Sequence, residues 1–220
     1  MSAIRAVTFD AYGTLLRNDD MKLIPRRIVA DHRLSAPADE VQRVWIDGYH
    51  EATLASPFQT LREIQHQVLG RTLRRFGIDA DAAPYVELFF DVTTRVELYP
   101  GVREVIEALG ALPSAIVSNA DHEHVAAWTF TLPVRFILIS EAARAYKPDP
   151  RIFRSALERL GLAPHEVLHV GDSDLDDVRG AKAAGLRAAW LNRERRKLRA
   201  GVPPPDFEIA DLTELPALLR

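Results

Sequence analysis

Six short runs of apolar and β-branched residues punctuate the chain, at 4–9, 114–117, 136–139, 167–170, 188–191 and, more weakly, 207–210. Their near-continuous apolar character is that of strands covered on both faces, which predicts a parallel sheet. Between the runs, apolar positions recur at helical spacing. Val102, Val105, Ile106 and Leu109 follow Pro100-Gly101, and Ile152, Phe153, Ala156, Leu157 and Leu160 share one face between Pro150 and Gly161. A helix over 177–184 stops at Gly185, and Asp211-Leu212-Thr213-Glu214 has capping-box spacing for a final short helix. Strands alternating with helices from residue 100 onward predict a doubly wound α/β fold with right-handed crossovers.

Residues 18–96 break that alternation. They carry helical patterns over 23–34, 38–55, 60–76 and 82–96, punctuated by Pro25, Pro37, Pro57 and Pro84, and no strand pattern. The expectation is an all-helical cap domain, 18–96, inserted into an α/β core made of 1–17 and 97–220. Trp45, Tyr49 and Phe58 in the insertion read as packing residues. Val202-Pro203-Pro204-Pro205 reads as a stiff surface loop.

Composition narrows the function classes. With 220 residues, 47% hydrophobic and 27% charged, the chain can bury a full core. A formal charge of -3 gives no reason to expect a nucleic-acid partner. The absence of cysteine excludes disulfides, thiolate metal sites and cysteine nucleophiles. No signal-peptide pattern and no apolar stretch near the roughly 20 residues of a membrane span are present, so a cytoplasmic protein without membrane association is expected. A small-molecule substrate is the expected partner, and a homodimer is left open.

Four elements carry candidate chemistry, each at a strand end or helix start. They are Asp10 with Tyr12, Gly13 and Thr14; Ser118-Asn119-Ala120-Asp121; Lys147 ahead of Pro148-Asp149-Pro150; and Gly171-Asp172 with Asp176 and Asp177. In a parallel sheet all four can meet along one edge. A carboxylate nucleophile, a hydroxyl with an amide, a lysine and paired acids form a phosphoryl-transfer set. Asp10 would attack, a hard cation held by Asp10 and Asp172 would screen charge, and Lys147 with the Thr14 and Ser118 hydroxyls would bind the spread negative charge. Asn119 joins Thr14, Ser118 and Lys147 as a candidate substrate-binding residue.

In this order the elements resemble the haloacid dehalogenase superfamily over essentially the whole chain, helical insertion included. The resemblance implies Asp10 as nucleophile, Thr14 and Ser118 on the transferred group, Lys147 as charge stabiliser, and Asp172 and Asp177 in a Mg2+ site. It adds the backbone carbonyl of Tyr12 as a metal ligand. Two departures follow. Where the family's phosphatases carry a second aspartate for acid–base work, this chain has Tyr12, a phenol with an ordinary pKa near 10, and general acid–base catalysis is worth ~10²–10⁴ in rate. The string Asp-Ala-Tyr-Gly-Thr-Leu is similar to the L-2-haloacid dehalogenase branch, which uses no metal and whose halide leaves without a proton. The Gly171-Asp172-Ser173…Asp177 run is instead similar to the Mg2+-dependent phosphatases. The dehalogenase place for a substrate-gripping arginine holds Ile46, with Arg43 and Arg62 as substitutes.

The expectation is therefore a Mg2+-dependent phosphatase of a small phosphorylated metabolite. The alternatives are a metal-independent L-2-haloacid dehalogenase and a catalytically weak phosphate- and metal-binding protein. Several charged groups read as bystanders. Asp174 and Asp176 would complement a helix dipole, His122 and His124 would lie on the solvent side of a helix start, and the run Arg193 to Lys197 would be a solvated face.

Overall fold

The structure, a computed structural model, describes residues 3–17 and 19–219. It divides into two compact units. Residues 3–17, 97–119 and 129–219 form an α/β unit; residues 19–96 and 120–128 form a helical one.

The α/β unit is built on six strands: β1 (Ala6–Phe9), β2 (Ser114–Ser118), β3 (Ile137–Ile139), β4 (Val167–Gly171), β5 (Arg187–Leu191) and β6 (Phe207–Ile209). They form one sheet in the order β3-β2-β1-β4-β5-β6, every pairing parallel. Each falls on one of the six apolar runs, because strands sandwiched between helices must be apolar on both faces. The order reverses direction between β1 and β4, the switch point at whose carboxyl edge such sheets bind ligands. Register brings the candidate loops to that edge. Phe9 lies opposite Ile116 on one side and Val170 on the other, so Asp10, Ser118 and Asp172 all leave the sheet within about a residue of the same level.

The helices, in chain order, are α1 (Leu23–His32), α2 (Ala38–Thr53), α3 (Leu61–Arg75), α4 (Ala83–Thr94), α5 (Val102–Ala108), α6 (His122–Ala126), α7 (Ser140–Ala143), α8 (Pro150–Leu160), α9 (Gly180–Ala183) and α10 (Leu215–Leu218). In the α/β unit, α8 begins at Pro150, with Asp149 accepting from the Arg151 N–H, and ends at Gly161 in a left-handed conformation. Its face of Ile152, Phe153, Ala156, Leu157 and Leu160 is buried with Val117, Leu138, Val167, Val178 and Trp190 in one cluster. Fully burying each large side chain there is worth about 1.5–3 kcal/mol. The stretch expected as a helix over 177–184 starts earlier, as a π-helical turn Asp174–Arg179 that runs into α9.

In the helical unit, α1 to α4 replace the four expected patterns with slightly shorter helices. Trp45 is buried, its indole N–H donating to Gln65 at 2.8 Å and its ring edge-on to Phe89. The segment 120–128, expected with the sheet, belongs to this unit for a local reason. Thr60 and Glu63 close a capping box on α3, and the Asp121 carboxylate takes the next free donors, the Leu61 and Arg62 N–H groups, at 2.9 and 3.0 Å. His124 is correspondingly buried rather than solvent-facing, 3.1 Å from the Thr93 hydroxyl and packed on Phe90. His122 is exposed as expected. No helix among the described residues is long and apolar enough to cross a membrane.

Candidate active site

Asp10, Tyr12, Thr14, Ser118, Asn119, Lys147, Asp172 and Asp177 all lie in the α/β unit. Asp10 leaves β1 with its N–H still donating to Val170 at 2.9 Å, so the nucleophile loop starts from a fixed point of the sheet. The loop then folds back on itself. The Ala11 carbonyl accepts from Thr14, Leu15 and Leu16, and Gly13 sits at φ +87°, a left-handed conformation that favours glycine. Glycine is needed there for space as well, since a Cβ would lie 2.5 Å from an Asp172 carboxylate oxygen. The buried Thr14 hydroxyl accepts from the Asp172 N–H at 3.1 Å, which ties the first loop to the loop after β4.

That second loop is equally constrained. Gly171 leaves no room for a side chain, because a Cβ would fall 2.1 Å from the Asp177 carboxyl carbon. Ser173 caps the π-helical turn by accepting from the Asp176 N–H at 3.0 Å, and its own N–H donates to Asp177 at 2.9 Å. Asp174 faces inward, accepting from the Arg199 N–H at 2.9 Å. Asp174 and Asp176 do fall in the first turn, as a dipole role requires; Asp174 is buried, and the half-buried Asp176 feels the charge of Asp177.

Lys147 arrives from the loop between α7 and α8. The Asn119 side chain holds it through both backbone groups, accepting from the Lys147 N–H at 2.7 Å and donating to the Lys147 carbonyl at 3.1 Å. Asn119, expected on the substrate, thus works on the lysine's loop. The Lys147 ammonium is 2% exposed and donates at 2.6 Å to both Asp10 and Asp177. Asp177 also lies 3.1 Å from His169 Nε2, and His169 Nδ1 lies 2.9 Å from the Thr8 hydroxyl. A continuous polar chain, Thr8–His169–Asp177–Lys147–Asp10, therefore runs from inside the sheet to the nucleophile.

The electrostatics are those of a site short of positive charge. Burial pushes the Asp10 carboxyl up to about 6 in spite of Lys147, with Asp177 adding to the rise. Burial and the Asp10 and Asp177 charges push Asp172 well above the usual carboxylate range, and burial with Asp177 takes Asp176 to about 7. Burial would also raise Asp177, but Lys147 and His169 outweigh it and hold it low. Lys147 is raised: burial opposes its charge, and its two carboxylate partners more than compensate. One ammonium faces several carboxylates. Asp10, Asp172 and Asp177 each offer an oxygen within 4.8 Å of the others, a spacing suited to one cation. Two buried side-chain oxygens in the site, Asp10 Oδ2 and Ser118 Oγ, have no hydrogen-bond partner among the described residues.

Sequence reasoning missed four contributors. His169 and Thr8 interrupt apolar strand runs, and a polar side chain inside such a run was the available signal. Arg193 and Arg196 carried none, because the register of a charged run is invisible before the fold is known. Of the arginines considered for gripping a substrate carboxylate, Arg43 is exposed, while Arg62 is committed to Glu87 and Glu123 and stacked 4.0 Å over Phe90.

Comparison with known proteins gives three kinds of match. Residues 4–185 match the family described as haloacid dehalogenase-like hydrolase. The chain is 28% identical over 232 residues to (S)-2-haloacid dehalogenase 1 of Pseudomonas sp. (strain CBS-3), covering 100% of this chain and 98% of that protein. It is 32% identical over 192 residues to the phosphoserine phosphatase of Thermus thermophilus, covering 83% and 70% respectively. A dehalogenase crystal structure with an intermediate complex superposes at a TM-score of 0.79, with 26% identity and coverage of 100% and 98%.

Proposed function

Because the chain belongs to the haloacid dehalogenase-like hydrolases, we infer from its site a Mg2+-dependent hydrolase of a small phosphorylated metabolite, working through an aspartyl phosphate on Asp10. One observation carries the reading: Asp10, Asp172 and Asp177 crowd within 4.8 Å with a single buried ammonium among them. Carboxylates so placed repel, and a hard divalent cation is the ordinary remedy. The donor set fits such an ion. The Asp10 Oδ2 atom has no hydrogen-bond partner among the described residues, and glycine at 13 leaves the Asp172 carboxylate its place. Asp10, Asp172 and the Tyr12 carbonyl would hold the Mg2+, which would supply charge neutralisation between nucleophile and phosphate.

The chain's own residues do the rest. Lys147 donates to both Asp10 and Asp177 and so fixes the Asp10 carboxylate for its attack on phosphorus. The bond from phosphorus to the leaving oxygen breaks as the Asp10–phosphorus bond forms. Thr14 and Ser118 hydroxyls and the Lys147 ammonium receive the charge of the equatorial oxygens. Water then attacks phosphorus, releasing phosphate and restoring the Asp10 carboxylate. With Tyr12 in the place of an acid, good leaving groups are favoured.

A second reading has its own support. Haloacid dehalogenases recur among the relatives matched over 90% or more of their own length, whereas the phosphoserine and phosphoglycolate phosphatases are covered to 70% and 69%. Attack of Asp10 on a carbon bearing halide needs no proton donor, which suits Tyr12. Against it stand the excess of acid around Asp10 and the commitment of Arg62. Parallel assays of para-nitrophenyl phosphate and L-2-chloropropionate, with Mg2+ and with chelator, separate the two.

A further inference from the structure

The run Arg193 to Lys197 follows β5 and looks like a solvated face, yet two of its arginines turn back onto the catalytic loops. The Arg193 guanidinium donates from Nη1 to the Gly13 carbonyl and from Nη2 to the Thr14 carbonyl, the latter at 2.9 Å. These are consecutive peptides of the loop that carries Asp10. Its planar group stacks 4.0 Å over the Tyr99 ring. Tyr99 is itself fixed to that loop, since its N–H donates to the Leu15 carbonyl at 2.9 Å.

Arg196 acts on the other loop. Its Nη2 donates to the Asp172 carbonyl at 2.9 Å, and the buried Trp190 indole donates to the same oxygen at 3.0 Å. The turn that presents both arginines is anchored by Asn192. The Asn192 side chain accepts from the Arg196 N–H at 2.8 Å and donates to the Arg196 carbonyl at 2.9 Å and to Glu208 on β6 at 2.6 Å.

We propose that Arg193 and Arg196 form a two-armed clamp that positions the Asp10 loop against the Asp172 loop and so sets the spacing of the two carboxylates. Neither arginine touches the reacting atoms; both are positioning residues. The physical need is clear from what they oppose. Two loops carrying like-charged carboxylates meet at the Thr14–Asp172 hydrogen bond and at Gly13, whose missing Cβ lets the Asp172 carboxylate pack close. Carbonyl oxygens on the far side of those loops are suitable handles, because a guanidinium fork fixes two peptide planes at once and adds positive charge near the cluster. Arg196 is among the charges that oppose the rise of Asp172. A misplacement of about 1 Å at a reacting group can cost ~10²-fold in rate, so the clamp bears on turnover more than on substrate affinity.

The coupling to Mg2+ and phosphate rests on the phosphohydrolase reading; the positioning of the loops does not. The test therefore has two arms, applied to Arg193→Met, Arg193→Lys and Arg196→Met in the full chain. The first is amide hydrogen exchange of peptides spanning 10–17 and 171–174. The clamp predicts exchange about tenfold faster or more in Arg193→Met, confined to those peptides, with Arg193→Lys in between because lysine keeps the charge but not the fork. The second is steady-state kinetics with para-nitrophenyl phosphate. Expected are a kcat lowered about 10- to 100-fold, a nearly unchanged KM, and a higher Mg2+ concentration for half-activation. Wild-type exchange in both loops together with wild-type kcat overturns the proposal. If the wild type instead releases halide from L-2-chloropropionate, the phosphohydrolase reading falls while exchange and halide kcat still decide the clamp. If Arg193→Met does not fold, Arg193→Lys decides it in the same way.

Discussion

At the residue scale the site turns on Lys147, the one buried cation between Asp10 and Asp177. Replacing it with methionine leaves both carboxylates buried without their partner, a change that costs about 3–5 kcal/mol in comparable pairs. The loss depends on pH. Asp10 is raised to about 6 even with the lysine present, so at lower pH the carboxyl takes up a proton and the damage shrinks. Urea unfolding of Lys147→Met at about pH 5 and about pH 7.5 checks this, and an equal loss at both contradicts it. The wild type carries a related signature. A carboxyl raised in the native state binds more protons folded than unfolded, so its contribution to stability is intact below its unfolded pKa near 3.8 and is lost as pH rises through about 6. A cation binds the ionised form. Thermal unfolding with Mg2+ against chelator should therefore show stabilisation above about pH 6 that fades below it. Gly13→Ala is a third case. The left-handed conformation costs about 1–2 kcal/mol with a Cβ, and that Cβ meets the Asp172 carboxylate, so stability falls and Mg2+ affinity, read by calorimetry, falls with it.

At the element scale the strands were the most legible part of the chain. Six apolar runs became six strands because a buried parallel strand has only one way to look, and its ends are marked where the apolar run meets acid or turn residues. Helix α8 was equally clear from Pro150, Gly161 and one apolar face. The π-helical turn at 174–179 was not legible: its Ser173 cap is local, but Asp177 reaches back to Lys147, 30 residues away in sequence. The placement of 120–128 with the helices was also hidden. It depends on Asp121 supplying the donors of α3 with an acceptor 60 residues away in sequence. Asp121→Ala should remove that cap and destabilise the helical unit by about 1–2 kcal/mol. Hydrogen exchange at the first turn of α3 reads it directly, and unchanged protection of Leu61 to Glu63 would show the cap to be idle.

At the scale of the whole molecule, Asp10, Thr14, Ser118, Lys147, Asp172 and Asp177 could be picked out before any fold was known, because each stands at a strand end or helix start. What the sequence withheld was how they are held: Asn119 on the lysine loop, His169 behind Asp177, and two arginines on the carbonyls of the catalytic loops. Those supports come from segments distant in the chain, and no spacing rule connects them. Membership of the haloacid dehalogenase-like hydrolases leaves two chemistries in play, attack on phosphorus with a metal and attack on carbon without one. The crowding of carboxylates around one lysine is the ground for the proposed phosphohydrolase, while the relatives matched over nearly their full length include several dehalogenases. The most direct test is the release of nitrophenolate from para-nitrophenyl phosphate by the purified chain, with Mg2+ and with chelator, beside chloride release from L-2-chloropropionate and the Asp10→Asn variant in each. The account predicts Mg2+-dependent nitrophenolate release that disappears in Asp10→Asn. Chloride release indifferent to chelator, with the phosphate ester untouched, would contradict it.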